Sequence, residues 1–127
     1  MKTMISILTI STLSLASLFA APVAKASAPT ITNFSSEYSG CEGYTPRFLL
    51  WWSASTSVLE YDLDYEFWYN GTWYPSYNGT KTGKMFNGSH NTPTKVRVRA
   101  RNSSGWGPFE TIQLPTINCQ GGGPIIQ

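Results

Sequence analysis

Two stretches of this chain alternate between apolar and charged residues with a period of two. The first, EYDLDYEFWY at residues 60–69, places aromatic residues and Leu63 on one side and carboxylates on the other. The second, KVRVRARN at residues 95–102, has a cation at every second position up to residue 101. Because successive side chains of a β-strand point to opposite faces of the sheet, the pattern predicts two half-buried strands, each with one charged face.

Similar patterns, separated by turn residues, continue through the rest of the chain after residue 27. We expect further strands at residues 30–35, 47–53, 72–74, 80–86 and 108–117. No window in this part of the sequence has helical periodicity over a useful length. Seven short strands with turns between them predict an all-β fold, a seven-stranded antiparallel sandwich.

Residues 1–26 have the features of a secretory signal peptide. Lys2 precedes an apolar segment at residues 4–19, and the sequence Ala-Lys-Ala at residues 24–26 is a small-x-small cleavage pattern. We expect residues 27–119 to form one domain and residues 120–127 a flexible tail. The protein is expected to be secreted, to the periplasm or outside the cell, with no membrane insertion after signal cleavage.

The charge balance argues against nucleic acid as a partner. The chain has nine Lys and Arg, seven Asp and Glu, and a formal net charge of +2. Two of the cations, Lys2 and Lys25, belong to the expected signal peptide, so the mature domain is close to neutral. A neutral domain has no bulk attraction to nucleic acid or to an anionic membrane.

Cys41 and Cys119 are the two cysteines of the chain. In an exported protein we expect them to form one disulfide, because oxidising compartments favour the bridge. The alternative is two free thiols or metal ligands, but one His and no CxxC spacing leave nothing to complete a zinc site. No metal and no cofactor are therefore expected.

Catalysis finds no candidate residues. His90 is the single histidine, in a polar connection, and is interpreted as a loop residue rather than a base. No Ser or Cys has a nucleophile motif, and the carboxylates at residues 62–66 have cations expected beside them, which lowers a carboxyl pKa. The chain is predicted not to be an enzyme.

The segment VRVRARNSSGWGP at residues 96–108 resembles the sixth-strand and loop signature of fibronectin type III domains. Trp52 is similar to the core tryptophan of the family's second strand, and the alternation Tyr61-x-Leu63-x-Tyr65 is similar to its third strand. Thr94 departs from the pattern, since the family usually has a tyrosine there. The resemblance covers residues 29–117 and implies the family's immunoglobulin-like sandwich.

The topology that this resemblance implies makes the third and sixth strands antiparallel neighbours. Asp62, Asp64 and Glu66 would then lie beside the cations of residues 95–101 on the outer face of the sheet, as exposed ion pairs. We interpret the cations as one side of this intramolecular ladder; the alternative is a groove for a polyanion. The same topology places the two cysteines at one pole of the sandwich.

The dipeptide Asn70-Gly71 predicts a two-residue type I′ hairpin. It would form three cross-strand pairs: Tyr69 with Thr72, Trp68 with Trp73, and Phe67 with Tyr74. The tryptophan pair would lie on the outward face, where it either clasps the hairpin or offers a stacking platform to a sugar ring or a partner's apolar side chain.

Four aromatic residues are therefore the candidate ligand-binding residues: Trp68, Trp73, Tyr77 and Trp106. The last two lie in loops 75–80 and 102–107, which should meet loop 53–59 at one pole, although Trp106 can equally brace its own loop. The leading hypothesis is a non-catalytic module that contacts a protein or cell-surface component. The alternative is a carbohydrate-binding module whose partner is a cell-surface glycan.

Overall fold

The computed structural model describes residues 27–120 and 123–124; the expected signal peptide, residues 1–26, lies outside this part. The described chain forms ten β-strands: β1 Ile31–Glu42, β2 Thr45–Ala54, β3 Glu60–Phe67, β4 Tyr74–Gly79, β5 Gly83–Asn87, β6 Thr94–Asn102, β7 Gly105–Trp106, β8 Glu110–Leu114, β9 Ile117–Asn118 and β10 Gly123–Pro124. The described residues include no helix that is long and apolar enough to cross a membrane. The prediction of an all-β fold is confirmed.

The strands form two main antiparallel sheets. The first sheet has the order β1-β2-β5, and the second has the order β4-β3-β6-β7, with β8 also paired to β6. The strands β1 to β6 and β8 are the seven of the predicted sandwich, and β7, β9 and β10 are two-residue additions. The β10 pair with β9 includes residues 123 and 124 of the expected tail.

The core lies between the sheets and is built from alternate residues of the strands. Eight of its members come from β2, β3 and β6: Phe48, Leu50, Trp52, Tyr61, Leu63, Val96, Val98 and Ala100. Leu63 is fully buried and lies opposite Val98 in the β3–β6 ladder. Burying a side chain of this size stabilises the fold by roughly 1.5–3 kcal/mol. The predicted inward faces of β2, β3 and β6 are therefore confirmed.

The predicted disulfide joins Cys41, near the end of β1, to Cys119, after β9, with the Cα atoms 5.6 Å apart. His90 belongs to the same pole, where its Nδ1 accepts a hydrogen bond from the backbone N–H of Cys119 at 3.0 Å. The backbone N–H of Asn91 donates to the carbonyl of Ile117 at 2.8 Å. The connection between β5 and β6 is thus bound to the end of the chain, and His90 has a structural partner.

The predicted two-residue hairpin at Asn70-Gly71 is wrong. β3 ends at Phe67, and Tyr74 pairs with Tyr65 instead, so none of the three expected pairs forms and Trp68 does not face Trp73 across a ladder. The backbone N–H of Gly71 donates to the carboxylate of Glu66 at 2.7 Å, and Trp68 N–H donates to the Pro93 carbonyl at 2.7 Å. These two bonds hold a longer loop, residues 68–73, in place of the short turn.

Strand β4 corrects a second expectation, because Pro75 lies within it rather than ending the pairing. Pro75 stands opposite Asp64, next to an irregularity in the register after Leu63. A proline has no N–H to donate, which an edge strand tolerates at a bulge. Strand β4 has β3 as its single neighbour, so it is an edge strand.

Thr94 occupies its unusual position by forming local hydrogen bonds. Its side chain is 3 % exposed, and its hydroxyl donates to the Thr92 carbonyl at 2.9 Å. The Thr92 hydroxyl in turn donates to the His90 carbonyl at 2.9 Å. Two threonines therefore fix the entry to β6.

Gly107 marks a close approach of two backbone segments after β7. Its N–H donates to the Ala100 carbonyl at 2.8 Å, and a Cβ at this position would overlap the Pro29 carbonyl oxygen. Glycine is needed here because the two segments leave no room for a side chain.

Candidate functional site

Strands β3 and β6 lie side by side, and their charged residues are in register with residues of opposite sign. The cross-strand partners are Glu60 with Arg101, Asp62 with Arg99, Asp64 with Arg97, and Glu66 with Lys95. The first three are ion pairs, with N–O distances of 2.8, 3.0 and 3.1 Å in that order. The predicted ladder between the two strands is therefore confirmed.

The burial of this ladder differs from the expected exposed pairs. Asp62 and Asp64 are each 9 % exposed and Glu66 is 4 % exposed. Removal of an arginine would therefore leave a carboxylate with little water to solvate it, which costs more than breaking a fully exposed pair. The burial lies on the acidic side of the ladder, because the side chains of Arg97, Arg99 and Arg101 are 25 %, 33 % and 39 % exposed and still meet solvent.

An alternating stack of aromatic rings and guanidinium groups covers the cation row. Arg97 lies 4.2 Å from the Trp73 ring centre and 3.9 Å from that of Phe109. Arg99 lies 4.5 Å from the Phe109 ring centre and 4.4 Å from that of Trp106. These distances are those of cation–π contacts, so Trp73 and Trp106 already use ring surface on cations of their own chain.

The pKa of Asp64 is raised, whereas the cations beside it were expected to lower it. Burial raises the pKa of Asp64 above its ordinary value, the neighbouring Asp62 raises it further, and the Arg97 guanidinium opposes both effects. Raising the pKa makes protonation of Asp64 easier in the folded protein than in the unfolded chain. The ladder therefore contains a carboxyl that favours its neutral form more than an exposed aspartate does.

Tyr77 is a poor ligand-binding residue because the fold uses both its ring and its hydroxyl. The ring packs against the hydrophobic core, and the hydroxyl accepts a hydrogen bond from the Lys81 backbone N–H at 3.0 Å. The Lys84 ammonium lies 5.7 Å from the centre of the ring. The expected loop at residues 75–80 is also wrong, because residues 75–79 belong to β4.

Loops 53–59 and 102–107 do meet at one pole, as expected. The backbone N–H of Leu59 donates to the Arg101 carbonyl at 2.8 Å. Ser57, Asn102 and Ser103 line shallow cavities between the two loops. Trp106 stands beside this pole, opposite Arg101 in the β6–β7 pair.

Trp68 and Tyr69, which we call the aromatic tip, project from the loop that joins β3 to β4. Their side chains are 63 % and 46 % exposed. Both have positive φ angles, 63° and 53°, in the left-handed region that bulky residues rarely adopt. The Trp68 N–H bond to Pro93 and the 4.7 Å contact of the Lys95 ammonium with the Tyr69 ring hold this conformation.

The four predicted site residues do not form one site. Trp68 bonds to Pro93, just before β6 begins, whereas Trp106 pairs with Arg101 near the end of β6. At about 3.3 Å per residue, the distance along the chain from Pro93 to Arg101 is roughly 26 Å. Trp73 lies between them over Arg97, two positions along β6 from the Lys95 that contacts Tyr69, so Trp68 and Trp106 stand at opposite ends of the cation row.

The sequence reasoning missed Tyr69 and Phe109. The alternation of residues 60–69 predicts that Tyr69 faces inward, but β3 ends at Phe67 and Tyr69 lies in the loop that follows. Phe109 follows Pro108 outside the alternating segments, and its contacts with two arginines of β6 depend on the pairing of β6 with β8. Phe109 directly precedes β8, which pairs with β6. That position is the one signal in the sequence that could have indicated its contact with the arginines.

Within residues 27–120, no group of three or more His, Cys, Asp or Glu side chains is arranged to hold a metal ion. The Glu66 carboxylate is engaged by the Gly71 N–H, and three other carboxylates are engaged by arginines of β6. The Trp68 side chain, 63 % exposed, takes part in none of these contacts.

Comparisons with known proteins identify the fold. No family model matches the chain, and no curated protein matches it. A solved structure described as "Structure of FN3tt mut" matches with 20 % sequence identity and a TM-score of 0.57, covering 69 % of this chain and 96 % of that one. Together with the two-sheet strand order, this similarity shows that the chain has a fibronectin type III-like fold.

Proposed function

We propose that the protein is a secreted, non-catalytic binding module that contacts a protein or cell-surface component through the aromatic tip. The observation that carries the proposal is Trp68, a 63 % exposed tryptophan in a backbone conformation that bulky residues avoid. Conformations of this kind cluster at functional sites, where the surrounding structure must hold them.

The tip is suited to binding because its backbone is already fixed. The Trp68 N–H is bound to the Pro93 carbonyl, and Glu66 anchors the far side of the loop through Gly71. A ligand that covers the indole therefore needs to order little of the loop, which reduces the entropic cost of association. Large aromatic residues of this kind are frequent binding hot spots.

A neutral or apolar contact fits this surface better than a polyanion. Arg97, Arg99 and Arg101 each have a carboxylate partner and an aromatic ring nearby. A polyanion would have to displace these contacts to reach the guanidinium groups. The Tyr69 ring likewise lies against Lys95.

The test uses the mature domain, residues 27–127, and compares Trp68→Ala with Trp51→Ala. Trp51 is an exposed tryptophan on the other sheet, 40 % accessible, and serves as the matched control. Each protein is immobilised and incubated with extracted cell-surface proteins. We expect a partner to be retained by the wild type and by Trp51→Ala, and its retention to fall at least tenfold with Trp68→Ala.

Both variants must first give the same far-ultraviolet circular dichroism and the same urea midpoint as the wild type, within error. Equal retention by Trp68→Ala and the wild type would remove the aromatic tip as the binding surface.

A carbohydrate-binding module is the second candidate, because the tip offers two adjacent exposed aromatic side chains. Trp68 and Tyr69 could each stack on a sugar ring. Incubation of the same three proteins with insoluble polysaccharides distinguishes the two. Retention on a polysaccharide that Trp68→Ala abolishes and Trp51→Ala preserves would favour this candidate over a protein partner.

A further inference from the structure

A groove opens between the two sheets on the side where β4 and β5 are the edge strands. It has a volume of about 500 Å³, within the range of small-ligand pockets. Its lining includes Tyr65, Phe67, Lys84 and the hydroxyl-bearing Ser76 and Ser89. None of the residues that line it carries a carboxylate.

Three aromatic residues line the groove, Tyr65, Phe67 and Phe86, and Tyr74 packs beside them outside the lining. Tyr65 lies at the centre of these rings, with ring-centre distances of 4.9 Å to Phe67, 5.5 Å to Phe86 and 5.6 Å to Tyr74. No hydrogen bond joins the Tyr65 hydroxyl to any other residue in 27–120. The groove therefore combines ring surfaces with a phenol that is available to a ligand.

Lys84 brings a cation to the groove without a counter-charge. It pairs across the sheet with Leu50, a fully buried core residue, so its side chain starts on the inner face of β5. The ion pairs of the described chain involve arginines 47, 97, 99 and 101, and none involves Lys84. Its ammonium lies 5.7 Å from the centre of the Tyr77 ring, a contact that leaves the positive charge for an anionic ligand to balance.

An extended peptide is a poor occupant of this groove, although both flanking strands are sheet edges. Pro75 removes a backbone donor from β4, and an inward-pointing lysine on an edge strand such as β5 opposes the addition of another strand. The lining instead fits a small ligand with three features. Its C–H surface would pack on the aromatic rings, its hydroxyls would bond to Ser76 and Ser89, and its carboxylate would pair with Lys84.

We propose that this groove binds a uronic acid unit of an acidic glycan, with the sugar carboxylate on the Lys84 ammonium and the ring against Tyr65 and Phe67. The site is distinct from the aromatic tip and does not depend on the proposed function. Trp68→Ala should leave it unchanged, so failure of either proposal is recognisable without the other.

The test measures binding of trigalacturonate to the mature domain by isothermal titration calorimetry, with the methyl ester of the same trisaccharide as the neutral probe. We expect the acid to bind in the high micromolar range and the ester to bind at least tenfold more weakly. Lys84→Gln should weaken binding of the acid at least tenfold. Lys81→Gln removes an exposed lysine outside the groove lining and should leave the dissociation constant within twofold of the wild type.

Equal affinity for acid and ester, equal affinity of Lys84→Gln and wild type, or no binding of trigalacturonate would each overturn the proposal. In those cases the role of Lys84 is only to prevent the edge strand β5 from pairing with another chain. Lys84→Gln should then increase self-association in sedimentation experiments. A Tyr65→Phe variant, which keeps the ring, checks the phenol separately and should weaken binding of the acid about threefold to tenfold.

Discussion

Removal of the Cys41–Cys119 disulfide should cost about half of the stability of this domain. The bridge spans 78 residues of sequence, and the chain-entropy model gives about 4.5 kcal/mol at 25 °C for a loop of that length. Domains of this size unfold with a total free energy of roughly 5–15 kcal/mol. The double variant Cys41→Ala/Cys119→Ala is therefore expected to remain folded at 25 °C with a small margin.

The measurement is urea unfolding of the wild type and the double variant, followed by tryptophan fluorescence. With a slope of about 2 kcal/mol per M, a loss of about 4.5 kcal/mol lowers the midpoint by roughly 2 M. Reduction of the wild type with a phosphine should reproduce the midpoint of the variant. This control separates the loss of the bridge from the loss of the two side chains.

The structure also predicts where the loss is felt first. The bridge holds the end of the chain against β1, next to the hydrogen bonds of Cys119 with His90 and of Ile117 with Asn91. In the double variant, the backbone amides of residue 119 and of Asn91 should be the first to exchange faster. A midpoint shift below about 0.5 M would refute the reasoning, because the cross-link would then constrain the unfolded chain far less than its length requires.

Further predictions concern the ladder and one backbone contact. Asp62→Ala should lower the unfolding free energy by about 2 kcal/mol, because it removes a charged hydrogen bond to Arg99, whose side chain is 33 % exposed and can be solvated. Glu60→Gln in the more exposed pair should cost under about 1 kcal/mol, and equal losses in urea unfolding would contradict the burial argument. The raised pKa of Asp64 means that the folded state holds this proton more tightly than the unfolded chain, so the stabilisation from that proton is present at low pH and is lost as pH rises through the raised pKa. As the pH falls from about 7 to about 4, the unfolding free energy of the wild type should therefore increase relative to that of Asp64→Asn. A decrease would show that the Arg97 guanidinium has a larger effect on the Asp64 pKa than burial does. Gly107→Ala should cost at least about 2 kcal/mol because of its overlap with a backbone carbonyl, while Gly71→Ala, with φ of 83° and open space around it, should cost about 1 kcal/mol in the same assay.

Several features of the fold could be predicted because their signal is local. The alternation in residues 60–67 and 95–101 assigned the inward and outward side of each position before any contact was known. The opposite signs of the two charged faces then agreed with the pairing that the family resemblance implied. The structure places Asp62 opposite Arg99 and Leu63 opposite Val98, in keeping with both expectations.

The loop between β3 and β4 could not be predicted in the same way. The preference of Asn-Gly for a tight turn is a local effect of the two residues. Here it competes with the hydrogen bond from Gly71 to Glu66 and with the bond from Trp68 to Pro93, which is 25 positions further along the chain. The distant carbonyl is supplied only after β3 and β6 have paired.

The sequence by itself determined which face of each strand is charged, since a period of two needs no knowledge of neighbours. Tertiary structure alone decided that the carboxylates of residues 62, 64 and 66 are buried. It also decided that the rings of Trp73 and Trp106 pack on arginines of β6 and are not free to contact a ligand. The physical reason is that burial and cation–π contact depend on which strands meet, and Trp73 is 24 residues from the Arg97 that it covers. Trp68 is not one of the rings of that stack and is 63 % exposed.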